Sequence, residues 1–313
     1  MKIRKMLLMG LILLTICGLV FMGCNKQGEQ EKVIRVGYAP TTMNNPFWLA
    51  VLDGVKSVLE PQGVQIVTID PQNDQSKMND QIGDLLAQGI DALLVAPFDS
   101  TGIRPALVAC QEAGVPVINF DTPVVDKDLV SSIIASDNVN AGVVVAKDMM
   151  ARLPRDSKIA IIHSPSGQAC IDRYDGFMSA SAGYFNVVLT PDGKGDTGVT
   201  MPIAEDILQG TPDLKAFFAV NDPSAIGCIQ AIAGRNASGI LVYGVDGAPD
   251  AKKAIQEGTM TGTGAQSPLN IGKFTAETAL KVINGQSVDK NIVVETFIIN
   301  SDNLSSYNVD GWQ

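Results

Sequence analysis

Residues 92–121 read ALLVAPFDSTGIRPALVACQEAGVPVINFD and contain two short apolar runs on either side of a segment with helical spacing. The runs at 92–97 and 116–121 are nearly free of polar residues, which is typical of strands buried on both faces of a sheet. Residues 101–113 between them predict a helix. The order of strand, helix and strand predicts a βαβ unit, from which parallel sheets covered by helices are built.

The same alternation continues on both sides of this unit. Further strands are predicted at 34–39, 64–70, 131–137, 158–164, 185–191, 215–222 and 239–246. Further helices are predicted near 47–60, 75–88, 142–152, 173–182, 202–209 and 225–233. The cycle starts again after residue 137, so the same kind of unit occurs twice. The pattern therefore predicts an α/β protein with two lobes, each built on a parallel sheet.

The first 23 residues have the order of an export signal. Lys2, Arg4 and Lys5 precede a run at 6–22 that is apolar apart from one threonine. A segment with this order is a targeting sequence and takes no part in the fold. We therefore expect residues 1–23 to be a signal peptide.

Cys24 follows this run directly, and the polar residues after it predict a linker at 24–32. A small residue followed by cysteine at the end of an apolar run resembles the lipobox of bacterial lipoproteins, in which Cys24 would receive the lipid. The alternative is an uncleaved anchor, since the apolar run is only slightly shorter than the ~20 residues that a spanning helix needs. Both interpretations place the remaining chain outside the cytoplasm.

The charge of the chain argues against a nucleic acid as partner. Removal of residues 1–23 takes away three positive charges and no negative one, which lowers the formal net charge from −10 to −13. A chain this acidic, without a cluster of Lys and Arg, is repelled by a phosphate backbone. Its length suits two domains, each able to bury a core of its own.

Few residues of the chain suit covalent or metal chemistry. Besides Cys24, the mature part holds Cys110, Cys170 and Cys228, which are widely spaced and predict unpaired, mostly buried thiols. His163 is the only histidine, and its place in a predicted strand favours a structural role over catalysis. The chain has no Walker loop and no dinucleotide fingerprint. We therefore predict no cofactor and no metal.

Polar residues stand at predicted strand ends, close to the start of the next helix. They are Asn45, Asp70, Asp121, Asp137, Asn221 and Asp246. In open parallel sheets, ligands bind beyond the carboxyl ends of the strands. A helix N-cap is the simpler interpretation of such residues, and we favour it for Asp70, Asp74, Asp99 and Asp222.

Seven local motifs occur in order along the chain. They are NNPFW at 44–48, VINFD at 117–121, IASDN at 134–138, RYDGF at 173–177, AVND at 219–222, YGVDGAPDA at 243–251 and AQSPLNIG at 265–272. Together they resemble the ribose-binding branch of the periplasmic sugar-binding proteins, and the resemblance covers residues 33–297. It implies a type I periplasmic binding protein fold with two Rossmann-like lobes.

The resemblance also implies how the chain is divided between the lobes. A three-segment hinge is expected near 135–137, 265–267 and 295–298. The first lobe would comprise 33–135 plus 267–294, and the second 136–266 plus 295–313. The last residues, SDNLSSYNVDGWQ at 301–313, extend beyond the family pattern and receive no role.

A neutral sugar offers two apolar C–H faces and a rim of hydroxyl groups, so its site needs flat aromatic rings and bidentate polar groups. Phe47 and Trp48 would supply the rings. The resemblance assigns the polar rim to Asn45, Asp121, Arg173, Asn221, Asp246 and Gln266. Since a buried charge is costly unless it is countered, we expect Arg173 to lie beside a carboxylate.

Several interpretations of these residues stay open. Phe47 and Trp48 could be plain core residues, Asp246 a helix cap and Arg173 a surface charge. Asp121 and Asp246 could also serve as the acid and base of a glycosidase.

Two departures from the family pattern concern the ligand. Thr122 stands where ribose binders have a second arginine, and small residues around Gly195 stand where they place an aromatic on the second lobe. We therefore expect a pentose, hexose, ketohexose or sugar alcohol and do not assume ribose.

The resemblance also implies the partners. A monomer attached to the membrane by its lipid would close on the sugar and deliver it to an ABC permease. A sugar-sensing receptor that signals to a membrane kinase or chemoreceptor is the alternative.

Overall fold

The computed structural model of the protein describes residues 33–313, and the predicted signal peptide, Cys24 and the linker lie outside them. The strands are β1 (Arg35–Ala39), β2 (Gln65–Thr68), β3 (Ala92–Val95), β4 (Val117–Phe120), β5 (Ser132–Ser136), β6 (Lys158–Ile162), β7 (Asn186–Leu189), β8 (Ala216–Ala219), β9 (Leu241–Asp246), β10 (Gly262–Ala265), β11 (Asn291–Val294) and β12 (Phe297–Asn300). The helices are α1 (Pro46–Leu59), α2 (Gln75–Ala87), α3 (Arg104–Glu112), α4 (Asn138–Arg152), α5 (Gln168–Ala180), α6 (Thr197–Gly210), α7 (Asp222–Gly234), α8 (Pro249–Gln256) and α9 (Pro268–Ile283). In the described range, no helix is both long and apolar enough to cross a bilayer.

The strands form two six-stranded sheets. The order in the first is β11-β5-β4-β3-β1-β2, and in the second β12-β10-β9-β8-β6-β7. The pairings are parallel except for β10 with β12, which is antiparallel. Position by position, the second sheet repeats the first. The predicted α/β fold with two Rossmann-like lobes is confirmed.

The chain passes between the two sheets three times. It leaves the first sheet after β5, returns to it after β10, and leaves it again between β11 and β12. The crossing segments bond to one another, since the N–H of Asp137 donates to the carbonyl oxygen of Val294 and the hydroxyl of Thr296 donates to that of Asp137. The three-segment hinge of the predicted fold is therefore present.

The βαβ unit at 92–121 illustrates how the sequence produces these layers. Every residue of β3 and β4 is buried. Leu94 belongs to the hydrophobic cluster under α1 and α9, whereas Leu93 and Val95 belong to the cluster under α2 and α3. Because helices cover both faces of the sheet, successive residues of β3 and β4 are apolar. The exception is Asn119, whose amide nitrogen donates to the carbonyl oxygens of Val95 and Thr122.

The predicted helix starts were wrong at five places, one of which is α7, which begins at Asp222 instead of residue 225. Helix α3 begins at Arg104, because the carboxylate of Asp99 accepts the N–H groups of Thr101 and Gly102 and holds them in a turn. Helices α4, α5 and α6 begin earlier than predicted, and Pro202 lies inside α6. In α4 and α6 the early start follows from caps, since the side chains of Asp137 and Asp196 accept N–H groups of the first turn.

The helix-cap interpretation holds for Asp74 and is wrong for Asp70 and Asp99. Asp74 accepts the N–H of Lys77 and caps α2. Asp70 accepts the N–H of Met43 and so ties two loops together, while Asp99 stabilises the turn described above.

The surroundings of the cysteines and of the histidine indicate structural roles for them. Cys110, Cys170 and Cys228 are unpaired, as predicted, and two of them are fully buried. The ring of His163 stacks on Tyr174 at 4.7 Å between centroids, and His163 does not contribute to the cavity described next.

Candidate ligand-binding site

A cavity of about 460 Å³ lies at the carboxyl ends of strands from both sheets. All eight residues that the sequence predicts as ligand contacts line it, namely Asn45, Phe47, Trp48, Asp121, Arg173, Asn221, Asp246 and Gln266. In each sheet the strand order reverses beside the first strand of the lobe, β1 or β6, and ligands of open parallel sheets bind at such a switch point. The fold therefore brings together residues that are up to 221 positions apart, from Asn45 to Gln266.

Phe47 and Trp48 lie in the first turn of α1, where they pack in the hydrophobic core and also line the cavity. Their rings meet edge to face at 5.1 Å, and both side chains are buried. The hydroxyl of Tyr38 donates to the carbonyl oxygen of Trp48 and fixes this turn against β1. The two rings are core residues that also form a wall of the cavity, so both interpretations of them apply.

Asn45 and Asn221 are each the N-cap of a helix, α1 in the first lobe and α7 in the second. The side-chain oxygen of Asn45 accepts the N–H of Phe47, and that of Asn221 accepts the N–H of Ser224. The amide nitrogen of Asn221 also donates to the carbonyl oxygen of Gly195. Since both oxygens serve as helix caps, what either residue can offer a ligand is an N–H donor.

Arg173 lies inside α5 and is buried, so a solvated surface position is excluded. Its Nε donates to the side-chain oxygen of Asn138 at 2.8 Å, and its Nη1 donates to the carbonyl oxygen of Val220 at 2.9 Å. The same Nη1 is 3.5 Å from Oδ1 of Asp246. The predicted carboxylate neighbour is confirmed.

Asp246 ends β9 with a φ of 146°, which no ordinary strand or helix residue adopts. Its Oδ1 accepts from Nε2 of Gln266 at 2.8 Å, and its Oδ2 accepts the N–H of Asp222 at 3.4 Å. Helix α8 begins three residues later with Ala248 as its N-cap. The interpretation of Asp246 as a helix cap is therefore wrong.

Asp121 directly follows β4, has a φ of 56° and is buried. Its Oδ2 accepts from the hydroxyl of Thr122, the residue that stands where ribose binders have an arginine. Oδ1 of Asp121 and Oε1 of Gln266 are buried and have no hydrogen-bond partner within residues 33–313. A buried acceptor without a donor costs about 1–3 kcal/mol, so both atoms favour a ligand that carries donors.

Asp222 is a buried site residue whose role the sequence did not reveal. The structure makes it the first residue of α7, with Asn221 as the cap, so the cap interpretation of Asp222 is wrong. Its carboxylate accepts from the hydroxyl of Thr263 at 2.7 Å and from the N–H of Ala248 at 2.8 Å. Asp222, which follows β8, is thus bonded both to the segment after β9 and to β10. The AVND motif marked its position, but not the direction of its side chain.

The carboxyl groups of the site are harder to ionise than carboxyls in water. Burial raises the pKa of Asp121, and the charge of Arg173 and the hydrogen bond from Thr122 oppose this rise. Burial also raises the pKa of Asp222 and of Asp246, and the repulsion between these two carboxylates adds to the effect on Asp246. Arg173 partly offsets the rise of both. The raised pKa values favour the protonated forms of these carboxyls, because one guanidinium offsets their burial only in part.

The loop at 193–195 borders the cavity where the family pattern places an aromatic. Gly195 has a φ of +66°, and a Cβ there would lie 3.0 Å from Nδ2 of Asn221. A large side chain at this position would therefore be strained and would displace Asn221. No role was predicted for residues 301–313, yet Trp312 lines the same cavity.

The two lobes touch directly at one edge of the cavity. The N–H of Ser100, in the first lobe, donates to the carbonyl oxygen of Ser166 in the second at 3.1 Å. The hydroxyl oxygen of Ser100 accepts the N–H of Gln168 at 2.9 Å. The cavity is thus enclosed between two lobes that contact each other.

The residues around the cavity supply donors, acceptors and aromatic rings. Within residues 33–313, no group of His, Cys, Asp and Glu side chains is arranged to hold a metal ion. Two hinged α/β lobes with such a cavity between them define a two-lobed solute-binding protein.

Comparison with known proteins identifies the family. The model of the periplasmic binding protein domain matches residues 36–287. The ribose import binding protein RbsB of Bacillus subtilis is 34% identical over 295 residues, which are 93% of this chain and 95% of that protein. RbsB of Escherichia coli is 32% identical over 83% of this chain and 88% of its own length. The chain belongs to the periplasmic binding protein family, in its ribose-binding-protein-like, sugar-binding branch.

A solved structure supports the same assignment. An ABC transporter solute binding protein from Mycobacterium smegmatis, crystallised with glycerol, has a TM-score of 0.83 and 31% sequence identity. The match covers 90% of this chain and 98% of that one. The predicted family and the type I periplasmic binding protein fold are confirmed.

Proposed function

We propose that this chain is an extracytoplasmic solute-binding protein that captures a monosaccharide or sugar alcohol and delivers it to an ABC importer. The lobes that close on the ligand would be residues 33–135 plus 267–294 and residues 136–266 plus 295–313. One observation carries the proposal: buried, unpaired acceptors on Asp121 and Gln266 share a cavity with the rings of Phe47 and Trp48.

A neutral sugar matches this combination of groups. Its hydroxyls would donate to Oδ1 of Asp121 and Oε1 of Gln266, and its hydroxyl and ring oxygens would accept from Arg173, Asn45 and Asn221. The C–H faces of a sugar would pack on the aromatic rings. Relatives named for ribose, D-allose and xylitol support this class of ligand.

Calorimetry on the purified protein tests the proposal. The panel comprises D-ribose, D-allose, L-arabinose, D-fucose, myo-inositol and xylitol, with L-glutamate as a non-sugar control. At least one sugar or polyol is expected to bind with a Kd of about 1 μM or less, which corresponds to about −8 kcal/mol. A panel without any binding would overturn the proposal.

We also propose that the protein binds its ligand without converting it. The carboxylate of Asp246 is engaged by Gln266, Arg173 and the N–H of Asp222, which leaves it poorly placed to act as a free acid or base. Chromatography of the bound ligand after long incubation is expected to recover it unchanged. Release of product from nitrophenyl glycosides would instead support a glycosidase that uses Asp121 and Asp246.

Attachment to the membrane belongs to the same proposal. Residues 1–23 would direct export, and Cys24 would carry the lipid. Labelling of cells with a palmitate analogue is expected to mark the wild type and not Cys24→Ser, which would be released from the membrane fraction. Equal labelling of both proteins would refute lipidation at Cys24.

The exported receptor is expected to be a monomer. Sedimentation of the protein expressed without residues 1–23 checks this, and a stable dimer would contradict it.

A further inference from the structure

The segment at 301–313 is attached to the second lobe by a buried lysine. Lys252 of α8 has no exposed surface, although its side chain carries a charge. Its ammonium donates to the carbonyl oxygen of Asn308 at 2.7 Å, to that of Gly311, and to Oε1 of Gln313 at 3.2 Å. An ammonium group has three donors. All three therefore go to neutral oxygens of this one segment.

Gln313 ties the same segment to the site. Its side-chain Nε2 donates to the carbonyl oxygen of Asp246 at 3.1 Å and to the carbonyl oxygen of Gln266. Asp246 and Gln266 are the polar residues that end β9 and follow β10. The segment is thus bonded to the backbone of two residues that line the cavity.

Trp312 lies between these two attachments and lines the cavity. Its ring meets that of Phe47 edge to face, with 5.8 Å between centroids and 79° between planes. Trp312 also packs against the hydrophobic cluster of the first lobe, to which Phe47 and Trp48 belong. A side chain that the second lobe holds in place thus extends an aromatic wall of the first lobe.

The position of Trp312 matters because the loop at 193–195 carries no aromatic side chain. A bulky side chain at Gly195 is excluded by its positive φ and by the nearby amide of Asn221. Within residues 33–313, Trp312 is the aromatic that the second lobe contributes to the cavity lining. An aromatic face favours the flat C–H surface of a ring sugar, whereas an open-chain polyol presents no such surface.

We propose that Trp312 is a ligand-contacting residue that favours ring sugars over open-chain polyols, and that Lys252 and Gln313 hold it in position. The proposal rests on the sugar-binding function proposed above. It assigns a role in ligand choice to residues 308–313, which lie outside the family motifs.

Calorimetry of Trp312→Ala against the same panel tests the contact. The loss of one aromatic contact is expected to weaken ring sugars about tenfold and xylitol less than about threefold. Trp312→Phe should recover most of the lost affinity. The control is Tyr307→Leu, because Tyr307 is an aromatic of the same segment that stacks on Phe297 away from the cavity. Unchanged ring-sugar affinity in Trp312→Ala would overturn the proposal, as would an equal loss for ring sugars and xylitol.

Fluorescence provides a second measurement. The chain has two tryptophans, so Trp48→Phe leaves Trp312 as the single emitter. In this background, at a concentration of ring sugar that calorimetry on Trp48→Phe shows to be saturating, the sugar is expected to lower the quenching of Trp312 by acrylamide at least twofold. Lys252→Met, which keeps the apolar stem and removes the three donors, should expose Trp312 and weaken ring sugars to the same extent as Trp312→Ala.

The two measurements separate this proposal from the proposed function. A panel that shows no binding in the wild type overturns both. Binding in calorimetry without any change in Trp312 quenching overturns only the role of Trp312 and leaves sugar binding intact. A Lys252→Met protein whose Trp312 stays shielded and whose affinity stays at the wild-type level would refute the role of the lysine.

Discussion

At the scale of single residues, the site is governed by the charge around Arg173. Its guanidinium is surrounded by three buried carboxyl residues, Asp121, Asp222 and Asp246, and their charges interact with it. Attraction between buried charges offsets the cost of removing them from water only when the remaining lone pairs also find donors. Hydroxyl groups of a ligand can supply such donors. The same buried charges that raise the free energy of the ligand-free protein therefore favour ligand binding.

Arg173→Ala is expected to weaken binding of any panel ligand by well over tenfold. The substitution leaves Oδ1 of Asn138 and the carbonyl oxygen of Val220 without a donor, and Asp246 without its cation. Titration calorimetry, at a temperature where circular dichroism shows the variant to be folded, measures the effect. Arg104→Ala is the control, because Arg104 forms an exposed ion pair with Asp126. Wild-type affinity in Arg173→Ala would show that the site is misplaced.

Asp222 predicts how stability depends on pH. Burial raises the pKa of Asp222 to about 6 and that of Asp246 to about 8, both above the value of about 4 for an unfolded carboxyl. These two carboxyls thus bind more protons in the folded protein than in the unfolded chain between about pH 4 and 8, so their contribution to the free energy of unfolding falls as the pH rises. In Asp222→Asn, one of these carboxyls is gone and Asp246 loses its repelling neighbour, so this fall is expected to be smaller by on the order of 1–3 kcal/mol.

Urea denaturation of the ligand-free protein at several pH values measures this fall. The exposed Asp128 supplies the control, since Asp128→Asn should keep the wild-type slope. An Asp222→Asn protein with the wild-type slope would contradict the prediction.

The residues that line the cavity could be predicted from the sequence only where a local motif contains them. Asn45, Phe47 and Trp48 share one motif, and Asp121 and Asp246 end recognisable strands. Lys252 and Trp312 were not predicted, because their roles depend on contacts with residues that lie about 60 or more positions away along the chain. No local pattern encodes such a contact.

At the scale of secondary-structure elements, the contact between α4 and α5 positions Arg173. Gly142 of α4 lies so close to α5 that a Cβ would be 1.9 Å from the carbonyl oxygen of Arg173. Asn138, which accepts from Arg173, starts α4. The spacing of the two helices therefore sets the distance between the cavity-lining Arg173 and Asn138, which orients it.

Gly142→Ala is expected to destabilise the protein by about 2–3 kcal/mol, since backbone atoms must move to accept the methyl group. It should also weaken ligand binding, because α5 carries Arg173. Gly83→Ala is the matched control, a glycine of α2 whose added methyl would meet no atom within 4 Å. That control should gain about 0.5–1 kcal/mol from helix propensity. Chemical denaturation measures both variants, and equal stability of the two would contradict the argument.

The elements that the sequence did not predict lie after residue 246. β10 reads GTGA, and its two glycines leave no run of β-branched residues, although the strand is buried between β9 and β12. One reason for these glycines is close packing, since a Cβ at Gly264 would lie 3.0 Å from the carbonyl oxygen of Ala141. β11 and β12 become strands through pairing with β5 and β10, which are far away in sequence. Periodicity sufficed for the repeating units and failed where tertiary packing determines the strand.

At the scale of the whole molecule, direct contacts between the two lobes stabilise the closed form, in addition to the contacts that a ligand makes. Helix α5 starts after Gly167, which has no side chain to cap it. Ser100 of the other lobe takes this place, because its hydroxyl oxygen accepts the N–H of Gln168 in the first turn. A ligand shifts the balance between open and closed forms by its own contacts, and this cap across the lobes adds a constant contribution.

Ser100→Ala tests that contribution. The variant loses the cap and keeps the bond from the backbone N–H of Ser100 to Ser166, so closure should weaken by about 0.5–1 kcal/mol. Affinity is therefore expected to fall about two- to fivefold, and by the same factor for every panel ligand, because the change affects closure and not recognition. This uniform loss contrasts with the ligand-dependent loss expected for Trp312→Ala. Ser57→Ala is the control, since Ser57 bonds only within its own helix, to Gly54. Calorimetry across the panel decides, and losses that differ between ligands would place Ser100 in the recognition of the ligand instead of in closure.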